Sequence, residues 1–276
     1  MKATVLLSVL LILSSCAFFR TQTGPRALPG SLEEAVDSSD RAEENSDRDE
    51  YQHPLETLKF FGVTPEMTVV EISPGAGYYT EILAPYLAKQ GQYVMAIPRL
   101  PSNPPQILLD NEAKIQNILL RHPDVQHQAK IIPFEPIDSR NRIKPASADL
   151  VISISSVHNW VAQNSVPMAF KFFHDILKPG GILGIVQHRV AAGKKNFPKS
   201  GYLTESEVIA MAKKGGFRLA AKSEVNANPK DTADYPEGVW TLPPFYRLGE
   251  VDRDKYEDIG ESDRMTLKFV KVPRRR

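Results

Sequence analysis

The sequence has little cysteine, little tryptophan and almost no excess charge. Among its 276 residues there is one cysteine, Cys16, which excludes an internal disulfide and a zinc site built from cysteines. The formal net charge is +1, so bulk charge does not point to a nucleic-acid partner, and none is expected. The length fits one α/β domain with short extensions.

A long apolar run is also missing. The run at residues 5–13 has nine residues, whereas a membrane-spanning helix needs about 20. A short apolar run after Lys2 is typical of a signal peptide. It ends in Leu13-Ser14-Ser15-Cys16, which resembles the bacterial lipobox. Residues 1–16 are therefore interpreted as a lipoprotein-type signal peptide, with a lipid on Cys16 that attaches the protein to the membrane of the bacterial envelope, facing the periplasm. An ordinary secretory peptide is the alternative.

The following segment is poor in large apolar side chains. Residues 31–50 carry nine acidic and two basic side chains, a net charge of −7. Such a composition favours disorder, because the apolar surface available for burial does not offset the entropy of ordering the chain. The sequence thus predicts a disordered acidic tether at residues 17–50 and a folded domain at residues 51–276.

From residue 51 onward, two apolar patterns alternate. Short runs rich in β-branched residues are typical of buried strands, and the segments between them carry apolar residues at helical spacing. This alternation predicts a parallel sheet with helices on both faces, and the last two strands fit a terminal hairpin. The expected strands lie at residues 67–72, 93–97, 130–134, 148–154, 182–186, 217–225 and 265–270.

The first of these strands leads into a turn that contains two glycines. In open α/β sheets, ligands bind beyond the carboxyl ends of the strands, and glycine lets the backbone approach a ligand closely. A dinucleotide fold would have a third glycine where Thr80 stands, and the phosphate-binding loop pattern is absent. Thr80 and Pro98 therefore weigh against a nicotinamide-dependent reductase.

Three segments carry a family resemblance. Residues 71–80 read E-x-x-P-G-x-G-x-x-T, which resembles motif I of the class I S-adenosylmethionine-dependent methyltransferases. Residues 148–152 (ADLVI) and 177–183 (LKPGGIL) resemble the strand 4 motif and the turn before strand 5 of that family. The similarity covers about residues 48–272. More narrowly, the chain is similar to a group of uncharacterised, often exported bacterial predicted methyltransferases with H-P-x-E-T-L, H-N-W and W-T-L-P-P stretches.

The resemblance implies a fold, a cofactor and a substrate class. The implied fold is Rossmann-like, with a mainly parallel sheet, a terminal antiparallel hairpin and helices on both faces. The implied cofactor is S-adenosyl-L-methionine, and the implied methyl acceptor is a small molecule. The residues expected to bind the cofactor are Glu71, which would face its cationic amino group, and Ser73, Pro74, Gly75, Ala76, Gly77 and Thr80.

The end of strand 2 departs from the family pattern. Many class I methyltransferases have an acidic residue there that holds the ribose, but this chain reads Ala96-Ile97-Pro98-Arg99. Glu135, just past strand 3, is a candidate for the adenine or ribose edge. Its alternative is a solvated loop acid.

The expected chemistry is the alignment of an acceptor and, where needed, removal of its proton. His158 after strand 4 is a candidate base beside Asn159, and Trp160 is a candidate for stacking on the acceptor or the sulfonium. Alternatively, His158 and Asn159 cap a helix and Trp160 packs in the core. After strand 5, His188 is a second candidate base and Arg189 a candidate for binding an acidic group. A loop-anchoring network is their alternative.

Two outer segments complete the prediction. His53 either closes over the site or starts a helix, and the long connection at residues 226–250, which contains Trp240, is expected to form an ordered lid. No metal site is expected. The chain is then a methyltransferase or, alternatively, a non-catalytic ligand-binding envelope lipoprotein of the same fold. The alternative rests on the missing strand 2 acid and on the cytosolic synthesis of the cofactor.

Overall fold

The computed structural model describes residues 27–135, 143–190 and 199–273, and these residues build one seven-stranded sheet. Its strand order is β3-β2-β1-β4-β5-β7-β6. The strands are β1 Thr68–Ile72, β2 Gln92–Ile97, β3 Lys130–Pro133, β4 Ala148–Ile154, β5 Leu177–His188, β6 Phe217–Ser223 and β7 Arg264–Lys271. All seven predicted strands are present. The predicted turn at residues 177–181 is included in β5.

The pairing confirms the expected fold. Strand β1 is parallel to both β2 and β4, with Val70 opposite Val94 on one side and Val151 on the other. Strand β7 is antiparallel to both β5 and β6, which gives the terminal hairpin. This is a Rossmann-like class I methyltransferase fold. The strand order reverses between β1 and β4, and in open α/β sheets a ligand crevice forms at such a reversal, beyond the carboxyl ends of the strands.

Helices cover both faces of the sheet. One buried cluster includes Phe173 and Val208 and lies under one set of helices, and a second includes Phe61 and Ile82 on the opposite face. Full burial of such apolar side chains contributes about 1.5–3 kcal/mol each. The helices are α1 Leu32–Val36, α2 Glu43–Ser46, α3 Asp49–Gln52, α4 Pro54–Phe61, α5 Thr80–Leu87, α6 Gln106–Leu120, α7 Pro123–Gln128, α8 Val157–Ala162, α9 Val166–Ile176, α10 Glu205–Lys214 and α11 Arg253–Ile259.

The prediction of a disordered tether is wrong for residues 27–50. This segment contains α1, α2 and the first half of α3, and its Leu28, Leu32 and Ala35 are buried in the second cluster. Its acidity does not prevent folding, because individual acids find cationic partners: Asp49, for example, lies 2.6 Å from the buried Arg41. Few apolar side chains suffice when they dock onto a core that the rest of the domain already provides.

The folded part of the chain therefore includes residues 27–50, rather than beginning at residue 51. The expected signal peptide, the lipid site at Cys16 and the first part of the tether lie outside the described residues. Within the described parts of the chain, no helix combines the length and apolar character needed to cross a membrane.

Candidate functional site

The glycine turn between β1 and α5 presents bare backbone at the carboxyl edge of the sheet. Ser73 and Gly75 have positive φ angles of 55° and 60°. Gly75 is exposed, and a Cβ built on it would meet no atom within 4 Å. Pro74 and Ala76 are half-buried beside it. The turn therefore leaves room for a ligand to lie directly against its backbone.

Gly77 has a different role from Gly75. Its φ is 91°, and a Cβ there would lie 2.6 Å from Cδ1 of Ile118 in α6. Glycine is needed at this position because α6 packs closely against the turn, as well as for the left-handed backbone. A larger residue at Gly77 would thus disturb packing before it disturbed any ligand.

Glu71 and Thr80 lie beneath the turn instead of facing open space. Both side chains are buried, and the Thr80 hydroxyl donates to a Glu71 carboxylate oxygen at 3.2 Å. The Tyr93 hydroxyl on β2 donates to the same oxygen. Burial raises the pKa of Glu71 to about 7, and the hydrogen bonds from Tyr93 and Thr80 only partly oppose this. In this structure the two residues support the turn, which differs from the expected contact of Glu71 with a cationic group.

A carboxylate stands at the end of β2 although β2 does not supply it. Glu135, just after β3, accepts a hydrogen bond from the backbone N–H of Arg99 at 2.9 Å. The backbone N–H of Phe134 donates to the Ile97 carbonyl at 2.8 Å, so the two strand ends run side by side. Glu135 is half-buried at the edge where the family pattern has an acid on strand 2.

The ring of His158 is oriented by a buried glutamine at the end of β5. The Gln187 carbonyl oxygen accepts from the Val157 backbone N–H at 3.1 Å, and its amide nitrogen donates to the Gly201 carbonyl at 2.9 Å. That nitrogen also lies 3.2 Å from Nδ1 of His158. Because the first two bonds determine which end of the amide donates, Nδ1 of His158 is an acceptor here.

The protonation state of His158 follows from this arrangement. Burial lowers its pKa below the ordinary value, so the ring is neutral at pH 7. A neutral ring with an accepting Nδ1 carries its proton on Nε2. His158 then offers a hydrogen-bond donor, whereas a general base at Nε2 would need a free lone pair there. The base role expected from the sequence is therefore not favoured by this geometry.

His188 forms the second half of a histidine pair. Its ring centroid lies 5.6 Å from that of His158, and its Nδ1 lies 2.6 Å from the Ser262 hydroxyl. Its pKa is well below the ordinary value, first because the ring is buried and then because His158, Arg264 and Arg48 oppose a positive charge. His188 is therefore also neutral at pH 7.

The aromatic residue beside His158 is Trp240 rather than Trp160. The Trp240 ring lies edge-on to His158 at 5.7 Å, so the connection containing residues 226–250 borders the site. Trp160 is buried and packs against Phe134 and Phe173, as its alternative interpretation held. Trp160 lies in the middle of a short helix whose apolar face packs on the core. Trp240 lies in a long connection that can run beside the site.

Arg189 and Asn159 occupy the rim. The Arg189 guanidinium donates to both carboxylate oxygens of Asp263, at 2.8 and 2.9 Å, and lies 2.7 Å from Glu224. These ion pairs fit the loop-anchoring alternative. Asn159 is exposed in the first turn of α8, directly beside His158.

His53 lies at the other end of the edge. It joins α3 to α4 with a φ of 40°, and its Nδ1 lies 3.1 Å from the Tyr51 carbonyl. It lines a cavity of about 370 Å³ together with Asn226, Ser262 and Arg264. His53 thus starts a helix and also borders a cavity near the start of β7.

Sequence reasoning missed several of these residues. Gln187 was visible as the neighbour of His188, at the carboxyl end of β5. Glu261 and Arg264 gave no comparable signal, because their partners Arg48 and Tyr51 are 213 residues away in the chain. Within residues 27–135, 143–190 and 199–273, no group of three or more His, Cys, Asp or Glu side chains is arranged to hold a metal ion.

Comparison by structure finds proteins similar to this chain, whereas comparison by sequence finds none. No protein-family model and no curated protein sequence matches the chain. Among solved structures, a SAM-dependent methyltransferase from Aquifex aeolicus is 16% identical, with 87% of this chain and 97% of that chain covered at a TM-score of 0.55.

Two further structures delimit what the fold implies. The geranyl diphosphate C-methyltransferase from Streptomyces coelicolor A3(2), in complex with Mg2+, geranyl diphosphate and S-adenosyl-L-homocysteine, is 13% identical, with 86% of this chain and 87% of that chain covered at a TM-score of 0.55. The cyclase SpnF is 12% identical, with 80% of each chain covered at the same TM-score of 0.55. At identities this low, the TM-scores establish a shared fold alone, and the activity has to be argued from the residues.

Proposed function

We propose that this protein is an S-adenosyl-L-methionine-dependent methyltransferase that acts on a small-molecule acceptor. The observation that carries the proposal is the open glycine turn at the end of β1, beside a histidine pair at the ends of β4 and β5. Ligands of this fold class bind at that edge of the sheet, and the methyltransferases of similar fold support the choice of cofactor.

The residues at the turn fit such a cofactor. The bare backbone around Gly75 has the space that the methionine and ribose portions would occupy, and no Cβ blocks it. Glu135 places a carboxylate at the end of β2, where it would accept hydrogen bonds from the ribose hydroxyls in place of the missing strand 2 acid. When bound, S-adenosylmethionine would supply a methyl group on a sulfonium sulfur, and the neutral thioether left after transfer is a good leaving group.

The histidine pair would orient the acceptor. His158, with its proton on Nε2, would donate a hydrogen bond to the acceptor, and Trp240 packs edge-on beside its ring. Since this tautomer does not take a proton from the acceptor, the acceptor atom attacks with a lone pair that it already has. Thiolates, phenolates, carboxylates and neutral amines meet this condition.

The test is calorimetric titration of the purified protein with S-adenosylhomocysteine. Wild-type protein is expected to bind, and Gly75→Val is expected to abolish binding because the side chain fills the space against the turn. Gly180→Val is the matched control: Gly180 also has a positive φ and open space around it, and it precedes the main part of β5 at the opposite edge of the sheet. The control is expected to bind within twofold of wild type.

Two results would contradict the proposal. Wild-type protein that does not bind at millimolar S-adenosylhomocysteine would favour the non-catalytic envelope binding protein. Equal binding by Gly75→Val and Gly180→Val would mean that the ligand lies elsewhere. Export and lipidation remain predictions from the segment that ends at Cys16.

A further inference from the structure

The segment that follows β2 is apolar and exposed. Residues 98–110, called the α6 tip below, run from the end of β2 into the first turns of α6, and all are exposed except the half-buried Pro104. Eight of these residues are proline, leucine or isoleucine. Of the eight exposed large apolar residues in the described part of the chain, half lie in the α6 tip: Leu100, Ile107, Leu108 and Leu109. Contiguous exposed apolar surface marks a contact with a protein or a membrane.

Helix α6 is packed at one end and projects at the other. Ile115, Ile118 and Leu119 in its second half are buried, whereas none of residues 106–114 is buried. The side chain of Ile118 lies against the glycine turn at Gly77. With a rise of about 1.5 Å per residue, the first residue of α6 lies about 18 Å from Ile118 along the helix. The α6 tip therefore extends well past the part of the helix that the domain covers.

The apolar side chains at this end of α6 do not form a single face. Ile107, Leu108 and Leu109 are consecutive, and successive residues of a helix point about 100° apart, so the three cover roughly 200° of the circumference. A groove on a partner protein takes up one apolar face of a helix. A bilayer surrounds an inserted end on every side, so an end that is apolar nearly all round favours lipid.

The backbone of the α6 tip has few N–H groups that lipid would leave without a partner. Prolines occupy positions 98, 101, 104 and 105, and proline has no N–H. The N–H of Leu108 donates to the Pro105 carbonyl at 3.0 Å. Because an unpaired backbone donor is unfavourable in hydrocarbon, this depletion suits the segment to the surface layer of a bilayer.

The α6 tip has no net charge. Arg99 and Asp110 are its two charged side chains, and Gln106 donates to Asp110 at 2.8 Å. A surface of this kind would bind a bilayer through buried apolar area, without requiring anionic lipid.

The predicted lipid on Cys16 would place a bilayer within reach. Ala27, the first described residue, lines a small cavity together with Ile118 and Arg121 in the second half of α6. From Ile118 to Ile107 the helix rises about 17 Å, whereas the eleven residues from Cys16 to Ala27 span at most about 40 Å. The predicted lipid and the α6 tip can therefore enter the same bilayer.

We propose that the α6 tip inserts into the surface of a lipid bilayer, with Ile107, Leu108 and Leu109 at the level of the acyl chains and Arg99 and Asp110 among the headgroups. Because the α6 tip follows β2 directly, this contact would hold the carboxyl edge of the sheet toward the bilayer. The bilayer contact is independent of the proposed methyltransferase function.

The test compares the depth of two fluorescent labels on α6. Full-length protein with Cys16→Ser carries a nitrobenzoxadiazole label on the new cysteine of either Gln106→Cys or Asn117→Cys. Both positions are exposed, and a spacing of eleven residues puts them on nearly the same face of the helix. In phosphatidylcholine vesicles with spin-labelled acyl chains, the label at position 106 is expected to be quenched about threefold more than the label at position 117. Since each label reports its own position, contact through residues 5–13 does not contribute.

Variants in the Gln106→Cys protein locate the effect. Ile107→Gln together with Leu109→Gln is expected to raise the lipid concentration for half-maximal quenching about tenfold, because two apolar side chains are lost from the buried area. Leu120→Gln is the matched control, since Leu120 is 61% exposed at the other end of the helix and Ile107 is 62% exposed. The control and a change from low to high salt are each expected to alter the value by less than about twofold.

Several results would overturn the inference. They are equal quenching of the two labels, equal behaviour of the Ile107→Gln and Leu120→Gln proteins, and quenching that requires anionic lipid and is lost at high salt. A dimer in sedimentation velocity that Ile107→Gln abolishes, without quenching of the label at position 106, would assign the α6 tip to a contact between two copies of the chain.

Two controls keep these outcomes distinct. Far-ultraviolet circular dichroism is expected to be unchanged in every variant, because the substituted side chains are exposed, and the comparison of the two labels needs no further substitution. Titration with S-adenosylhomocysteine is read separately. Quenching without S-adenosylhomocysteine binding removes the proposed function and keeps the bilayer contact, whereas the opposite result removes the bilayer contact alone.

Discussion

Two places on the carboxyl edge of the sheet are assembled in opposite ways. They are the turn after β1, called the β1 end here, and the start of β7, called the β7 end. At the β1 end, Glu71 bonds to Thr80 and Tyr93, which are 9 and 22 residues away. At the β7 end, Glu261 bonds to Arg48 and Gln52, which are 213 and 209 residues away. The first arrangement belongs to a local motif that can be read in the sequence. The second exists only when the two ends of the chain meet.

The two ends also solve one problem differently. Each buries a glutamate, and burial of a carboxylate is unfavourable unless its charge is lost or paired. At the β1 end the pKa of Glu71 is raised to about 7, so its charge is easily lost. At the β7 end two guanidinium groups surround Glu261. Glu71, which can be protonated, needs only the hydroxyl partners that lie close in the sequence. Glu261, which is charged, needs cations from distant parts of the chain.

The largest expected effect tests the β7 end. Glu261→Gln leaves Arg48 and Arg264 without a counter-charge and is expected to lower the free energy of unfolding by roughly 3–5 kcal/mol. Urea denaturation measures it. The matched control is Glu257→Gln, which breaks an exposed pair with Arg253 and is expected to cost about 0–1 kcal/mol. Equal losses in both variants would mean that the buried group has no special role in stability.

A smaller effect contrasts the two ends by pH. The folded-state pKa of Glu71 lies above its ordinary 4.5, so the unfolded chain loses this proton first. The stability contributed by Glu71 is complete below about pH 4.5 and falls as the pH rises to about 7. Relative to wild type, Glu71→Gln is expected to be stabilised by roughly 2–3 kcal/mol more at pH 8 than at pH 5.

The buried His188 gives the opposite slope. Its folded-state pKa lies below the ordinary 6.5, so its contribution is present above that pH and falls as the pH drops. His188→Asn is expected to remove part of the acid-side loss and leave the alkaline side unchanged. Denaturation at pH 5, 6.5 and 8 measures both variants. If either variant differs from wild type by the same amount at every pH, its titration does not contribute to stability.

The smallest expected effect concerns one proton on His158 and leaves stability untouched. Long-range ¹H–¹⁵N NMR spectra are expected to show the Nε2–H tautomer, because Gln187 donates to Nδ1. Two histidines provide internal references. His174 must donate from Nε2 to the Val272 carbonyl, and His53 must donate from Nδ1 to the Tyr51 carbonyl. A His158 signal that matches His53 would restore the role of His158 as a base.

Some errors of sequence reasoning have a common cause. The acidic composition of residues 27–50 indicated disorder, but three apolar side chains and paired ions dock this segment on the domain. Trp160 and Trp240 were both candidates for the site, and only packing placed one in the core and the other beside His158. Composition and spacing describe a segment by itself, and docking depends on what lies opposite.

The sequence by itself determined that strands and helices alternate around a mainly parallel sheet. It also determined the position of the glycine turn and the placement of two histidines at the ends of two strands. Each of these follows from local periodicity or from a motif within about ten residues. Only the tertiary structure decided that Gly75 is open while Gly77 is packed, that Gln187 sets the proton of His158, and that Arg48 and Arg264 share one carboxylate. These features depend on atoms far apart in the chain. They arise when burial removes water and each polar group must find its partner among whatever side chains the fold brings close.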